Sequence, residues 1–293
     1  MIKNLIKKLF SRSRPYEPQG HADGFLAMLV QRSSSKPPTN IWDMEFKVYS
    51  QWGEDGILSF LCDELEISKP RMIEFGAGDF TECNSRFLAK YRNASVVLVD
   101  ARKDLLDSVS NTDLKWQTSI HGITDWITPN NVNQLARHAK ELIGEIDVVS
   151  LDLDGNDYWV AEAFNFEGTR IVVVEYNPIF GGARSVTVPR NDIFDRTEAH
   201  FSNLYYGASL KAFIELFSRK GFDFVGTNRV GNNAFFVAKK YTNQLNLVIP
   251  DISNLTRYVD WRVRESRNEK GELTFLSKEE GSRLISHLPL LEV

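Results

Sequence analysis

Two rhythms of apolar and polar residues alternate along this chain, and together they predict an α/β protein. Short apolar runs at Arg71–Phe75, Ser95–Asp100, Asp147–Asp152 and Arg170–Tyr176 read as buried strands bounded by turn residues. A further strand is predicted at Trp116–Ile120. Mixed stretches between the strands predict helices over Glu54–Glu66, Cys83–Tyr91, Arg102–Ser108, Val132–Ile143 and Tyr158–Phe164. Such alternation predicts a parallel sheet with right-handed crossovers and helices on both faces. Val172-Val173-Val174 suits a central strand buried on both sides, where polar alternation is not expected.

After the fifth strand the rhythm changes. A helix over Ala208–Lys220 precedes two strands, Phe222–Gly226 and Ala234–Ala238, separated only by a turn rich in Asn and Gly. That spacing predicts a hairpin, and therefore an antiparallel final pair. Three regions are expected: residues 1–45, residues 46–240 carrying the α/β sheet, and residues 241–293 as a polar C-terminal appendage. Ile2, Leu5, Ile6, Leu9 and Phe10 form a helical stripe, beside Lys3, Lys7, Lys8, Arg12 and Arg14 with no acid. The lysines interrupt the apolar run a signal peptide requires. Residues 1–14 therefore read either as a helix resting on an anionic membrane surface or as a short helix packed on the domain. Residues 15–39, rich in Pro, Ser and Gly, read as a linker with a short helix near residues 24–31.

Composition narrows the classes. Of 293 residues, 42% are hydrophobic and 25% charged, enough for a substantial core. A net charge of −4 argues against a nucleic-acid surface. Two cysteines, Cys62 and Cys83, make no disulfide framework and read as reduced packing residues of a cytoplasmic protein. No apolar run reaches the ~20 residues of a membrane-spanning helix. The oligomeric state does not follow from the sequence.

Candidate chemistry begins at Met72-Ile73-Glu74-Phe75-Gly76-Ala77-Gly78-Asp79, a strand running into a glycine turn. Gly76 and Gly78 allow a sharp turn and close approach to a ligand. Such a turn is a nucleotide-type cofactor seat in an α/β sheet. The second strand ends in Asp100, placed to grip ribose hydroxyls. Strand four ends near Asp152, followed by Asp154, Asn156 and Asp157; strand five ends near Glu175 and Asn177. Period-two alternation puts Asp152 and Asp154 on one side, and likewise Glu175 and Asn177. Asp152, Asp154 and Asn177 suit a hard cation such as Mg²⁺, one acid suits a general base, and Asp154-Gly155-Asn156-Asp157 also suits a plain helix-capping turn. The long connection after strand five carries Arg184, Arg190, His200 and Tyr205-Tyr206. It reads as a lid hinged at Gly181-Gly182, with His200 as a candidate base and the arginines as candidate contacts to an anionic sugar or phosphate.

Several stretches resemble the FkbM-like group of class I S-adenosylmethionine-dependent methyltransferases. They are Tyr49-Ser50-Gln51-Trp52-Gly53-Glu54-Asp55-Gly56, the glycine turn with its flanking acids, Asp152-Leu153-Asp154-Gly155-Asn156-Asp157-Tyr158, Val174-Glu175-Tyr176-Asn177-Pro178 and Tyr206-Gly207-Ala208-Ser209-Leu210. The likeness spans roughly residues 48–239. It implies a Rossmann-like methyltransferase sheet, mostly parallel with an antiparallel C-terminal hairpin. It also implies O-methylation of a hydroxyl on a glycan or sugar-containing metabolite. In that frame Gly76 and Gly78 approach the methionine part of S-adenosylmethionine, Glu74 and Asp79 balance its charges, and Asp100 holds the ribose. His121 meets the adenine, Gln51 and Glu54 form one wall, and Asp152, Asp154, Glu175 and His200 are the catalytic candidates. Two other readings stay open. A nicotinamide-dependent oxidoreductase shares the glycine turn and the following acid, although Thr81 replaces the third fingerprint glycine. A cofactor-binding module without turnover would keep the same fold.

Overall fold

A computed structural model describes residues 38–293 other than Val263, together with Leu26. The expected helices over residues 1–14 and 24–31 lie, Leu26 apart, outside the described residues. The compact unit that carries every element below is Lys36–Val293.

A seven-stranded sheet forms the centre, in the order β3-β2-β1-β4-β5-β8-β7. Its strands are β1 (Arg71–Phe75), β2 (Ser95–Asp100), β3 (Ile120–Thr124), β4 (Val148–Leu151), β5 (Ile171–Glu175), β7 (Phe222–Thr227) and β8 (Asn233–Ala238). β1 to β5 pair in parallel, and β8 runs antiparallel to both β5 and β7. This is the mostly parallel, hairpin-terminated sheet that the residue pattern predicts. Chain order reverses between β1 and β4, so their carboxyl ends diverge into a crevice, the usual ligand site of such sheets. β6 (Val186–Thr187) and β9 (Leu291–Glu292) make a separate antiparallel pair that ties the chain's last residues to the connection after β5.

The helices are α1 (Glu54–Glu64), α2 (Ser85–Arg92), α3 (Leu105–Asn111), α4 (Val132–Ile143), α5 (Asp157–Ala163), α6 (Arg196–Ala199), α7 (Leu210–Arg219), α8 (Lys239–Thr242) and α9 (Lys278–Ile285). α4 buries Val132, Leu135, Ala136 and Ala139, the i, i+3, i+4, i+7 stripe of an amphipathic helix. α7 starts where the Ser209 hydroxyl accepts from the Ala212 N–H. It buries Phe213 and Phe217, and Phe217 packs on Phe236 of β8 with ring centroids 4.4 Å apart. The β7–β8 turn is stapled by one side chain: Asn228 Oδ1 accepts from the N–H groups of Gly231, Asn232 and Asn233, each at 3.1 Å. That explains a tight hairpin in a sequence dense with Asn and Gly.

One strand departs from expectation. Trp116–Ile120 is predicted, but β3 occupies Ile120–Thr124. Trp116 is 84% exposed, so its ring marks no core position. The strand instead runs through His121-Gly122, where a Cβ on Gly122 would meet Leu106 at 3.1 Å and Val109 at 3.3 Å from α3. Close helix packing, invisible to local pattern, selects the register.

Candidate functional site

Two cavities open at the carboxyl edge of the sheet and share a wall. The first, of about 550 Å³, lies over the ends of β1, β2 and β4, with Gly76, Gly78, Asp100, Trp126, Asp152 and Asn156 among its walls. Gly76 adopts φ +84°, and a Cβ there would stand 1.6 Å from the Asp152 carbonyl oxygen. Only glycine lets the end of β1 lie this close to the end of β4. Gly78, at φ +58°, is the opposite case: an added Cβ meets no atom within 4 Å, because the position faces open space. Asp100 holds the turn in place, accepting from the Gly78 N–H at 2.7 Å and the Arg102 N–H at 2.8 Å. A carboxylate has about four acceptor positions, so this one keeps capacity for ligand hydroxyls.

The second cavity, of about 260 Å³, lies outside β4 and β5 and shares Asp152, Asp154 and Arg196 with the first. Behind it Asp157 organises the turn after β4, accepting from the Leu153 N–H at 2.7 Å and the Gly155 N–H at 3.0 Å. Burial lifts the Asp157 carboxyl to about 6. The turn is left-handed at Asp154 (φ +54°), which throws that side chain outward. There it meets Arg196 at 2.6 Å. Arg196 also donates to the Asn203 carbonyl at 2.6 Å, and its guanidinium lies 3.7 Å from the centre of the Tyr206 ring. Burial alone would lower the Arg196 pKa, but Tyr206, Glu175 and Asp154 outweigh it and keep the group cationic.

One carboxylate oxygen from each of Asp152, Asp154 and Glu175 lies within 4.8 Å of the others. Glu175 is 8% exposed, and its Oε2 has no hydrogen-bond partner. Burial pushes the Glu175 carboxyl well above the ordinary range, and the neighbouring Asp152 charge adds to this. Asp152 is partly open to both cavities. Desolvation raises it as well, with Asp154 and Asp157 pushing in the same direction.

The expected residues divide between the site and the scaffold. Gly76, Gly78, Asp100 and Asp152 line the first cavity; Gln51, Asp152, Asp154, Glu175 and Asn177 line the second. Glu74 lines neither: its oxygens accept from the Asn84 and Ser85 N–H groups at 2.8 and 2.9 Å, capping α2. Asp79 turns away to Thr81 and to Arg102, 3.7 Å distant. Glu54 binds the amides of Asn228 and Asn233, tying α1 to the hairpin. His121 is corrected by the shift of β3. It pairs with Val97 near the amino end of that strand and contacts Ser119 at 2.8 Å. His200 also lines neither cavity, its Nδ1 resting 2.7 Å from the Ser202 hydroxyl. Arg184 and Arg190, candidates for an anionic ligand, are instead paired with Glu292 and Asp192, each at 2.7 Å.

Other wall residues carried no motif. Trp126 and Ile127 follow the true end of β3 and line the first cavity where His121 was expected. Trp261 and Glu265 reach the second cavity from the C-terminal region. A correct end for β3 would have pointed to Trp126, whereas nothing local signals Trp261 or Glu265.

The expected cation ligands are not equally placed. Asn177 serves the fold: its Oδ1 accepts from the Ile179 N–H, and its Nδ2 donates to the carbonyls of Leu204 and Tyr206. Asp154 already carries the Arg196 guanidinium, which leaves Asp152 and Glu175 as the carboxylates of this cluster without a cationic partner.

No protein-family model matches the chain. No curated protein matches it either. Among solved structures it is similar to a putative sarcosine dimethylglycine methyltransferase from Galdieria sulphuraria, at 11% identity and TM-score 0.35 over 70% of this chain and 75% of that one. It is also similar to the N-terminal domain of EvdMO1 with SAH bound, at 9% identity and TM-score 0.40 over 64% and 80%. A third is an O-methyltransferase family 2 protein from Planctomyces limnophilus in complex with apigenin, at 11% identity and TM-score 0.36 over 75% and 62%. Identity at this level bears on the fold alone, which the strand order already establishes.

Proposed function

We propose that this protein is an S-adenosylmethionine-dependent O-methyltransferase of FkbM-like type, acting on a hydroxyl of a glycan or sugar-containing metabolite. The observation that carries the reading is the pair of cavities meeting at Asp152 across the β1/β4 crevice. One is large enough for a nucleoside cofactor; the other lies beside it, outside β4 and β5. In this reading the Gly76–Gly78 turn receives the amino-acid part of the cofactor, Asp100 the ribose hydroxyls, and Trp126 with Ile127 the adenine.

The acceptor hydroxyl would lie against Asp152. Bound S-adenosylmethionine would supply an electrophilic methyl group to that hydroxyl oxygen, and the Asp152 carboxylate would take the hydroxyl proton. The products would be the methyl ether and S-adenosylhomocysteine. Glu175 stands beside Asp152 and tunes its affinity for that proton, while Arg196 restrains Asp154. Proximity and alignment of the two reactants supply much of the barrier reduction.

Calorimetric titration with S-adenosylmethionine, S-adenosylhomocysteine and NAD tests the cofactor. Binding of the first two without NAD is expected, and Asp100→Ala should abolish it. Unchanged affinity in that variant overturns the ribose assignment, and NAD binding alone returns the oxidoreductase reading. Incubation with labelled S-adenosylmethionine and glycan or lipid extracts then tests turnover, since a binding module would transfer no label. No described helix is long and apolar enough to cross a membrane. The proposed location is the cytoplasm, with residues 1–14 resting on an anionic inner membrane face. Equal vesicle flotation with and without those residues would dismiss that contact.

A further inference from the structure

The walls of the second cavity carry an uneven charge. Asp152, Asp154, Glu175 and Glu265 all face it, against one cation, Arg196. That cation is already held by Asp154, by the Asn203 carbonyl and by the face of Tyr206. The arginines of the same connection, Arg184 and Arg190, are paired elsewhere and line neither cavity. An anionic acceptor would therefore find a single positive partner among the described wall residues, one already paired with Asp154. It would also have to approach several carboxylates, and like charges at short range suppress binding.

Two further observations point to what fits instead. Glu175 Oε2 is a buried acceptor with no donor, and such an orphan gains most from a ligand that brings its own N–H groups. The indole of Trp261 stands in the same wall, and aromatic faces attract cations, whereas the Trp52 ring already has the Lys47 ammonium 6.0 Å from its centre. At about 260 Å³ the space lies below the ~300–1,000 Å³ of drug-sized sites and suits a unit the size of one sugar ring.

We propose that this cavity selects an acceptor bearing a protonated amino group, of the amino-sugar class, and rejects acidic sugars and phosphates. The proposal rests on the methyltransferase reading, because it makes this cavity the acceptor side. The ammonium donates to the acidic wall and the ring lies against an indole, which leaves a hydroxyl of the same molecule for Asp152.

The test uses the full chain loaded with S-adenosylhomocysteine and titrates three probes built on one pyranose ring: glucosamine, N-acetylglucosamine and glucuronic acid. Glucosamine should bind about tenfold more tightly than its acetylated form, and glucuronic acid should not bind. Glu265→Gln should shrink the preference for the ammonium about threefold, with cofactor affinity unchanged. Equal affinities, a preference for the neutral or acidic probe, or no binding by any of the three overturns the proposal. The same titrations on cofactor-free protein separate the two ideas. An ammonium preference without S-adenosylhomocysteine binding sinks the methyltransferase reading and leaves the charge selectivity standing.

Discussion

The two cavities that meet at Asp152 are built in opposite ways. The larger is a backbone structure: residues directly after β1, β2 and β4 form most of it, and Gly78 faces it with no side chain at all. The smaller is a side-chain structure, assembled from residues as far apart in sequence as Gln51 and Glu265. Three of its carboxylates bring oxygens within 4.8 Å of one another, and one of them, Glu175, remains incompletely partnered. A backbone cradle suits a ligand met in one invariant form, because peptide groups cannot be exchanged by mutation. A side-chain cradle can be re-specified one residue at a time, which suits an acceptor site.

The sharpest way to break this contrast is Gly76→Ala. Its Cβ would overlap the Asp152 carbonyl, and the strained φ adds to the cost, so a stability loss of about 3 kcal/mol is expected together with loss of S-adenosylhomocysteine binding. A normal melting curve with retained affinity would show that the backbone cradle is not needed. Asp152→Asn should lower kcat by about 10²–10⁴ while leaving cofactor affinity within a few-fold, read from labelled-methyl transfer and calorimetry. An unaltered rate removes the proton acceptor from the mechanism.

The pH profile sharpens the same point. Burial and the neighbouring acids raise the Asp152 carboxyl, and a base acts only when deprotonated, so turnover should rise at higher pH than an ordinary carboxylate would give. An ordinary carboxylate would have levelled off by about pH 5–6. A profile flat from pH 5 upward contradicts a raised base. Gly78→Ala is milder than its neighbour: the backbone is left-handed but the space is open, so fold is kept and cofactor affinity drops about tenfold. The smallest effect is expected from chelation. Dialysis against EDTA should leave turnover unchanged, and recovery specifically with Mg²⁺ would restore the metal reading.

Legibility in the sequence followed the same division. The glycine turn, Asp100 and the strand ends at Asp152 and Glu175 were readable because each is a local signal, a strand running into a special residue. Glu74 looked equivalent to Asp100, since both are acids on strands beside the turn. Packing made one a helix cap and left the other at the cavity. His121 was misplaced because an exposed Trp116 imitated a strand residue and shifted β3 by several positions.

The sequence alone determined the layered α/β architecture, the terminal hairpin and the place where a cofactor-like ligand could approach bare backbone. These depend on local backbone preference and on the period of apolar residues, and both are written in consecutive positions. The tertiary structure decided which acids remain available, which arginine reaches the cavities, and that Trp261 and Glu265 complete a wall begun at Gln51. Burial and electrostatic pairing depend on distances between segments remote in the chain, so no local window carries them.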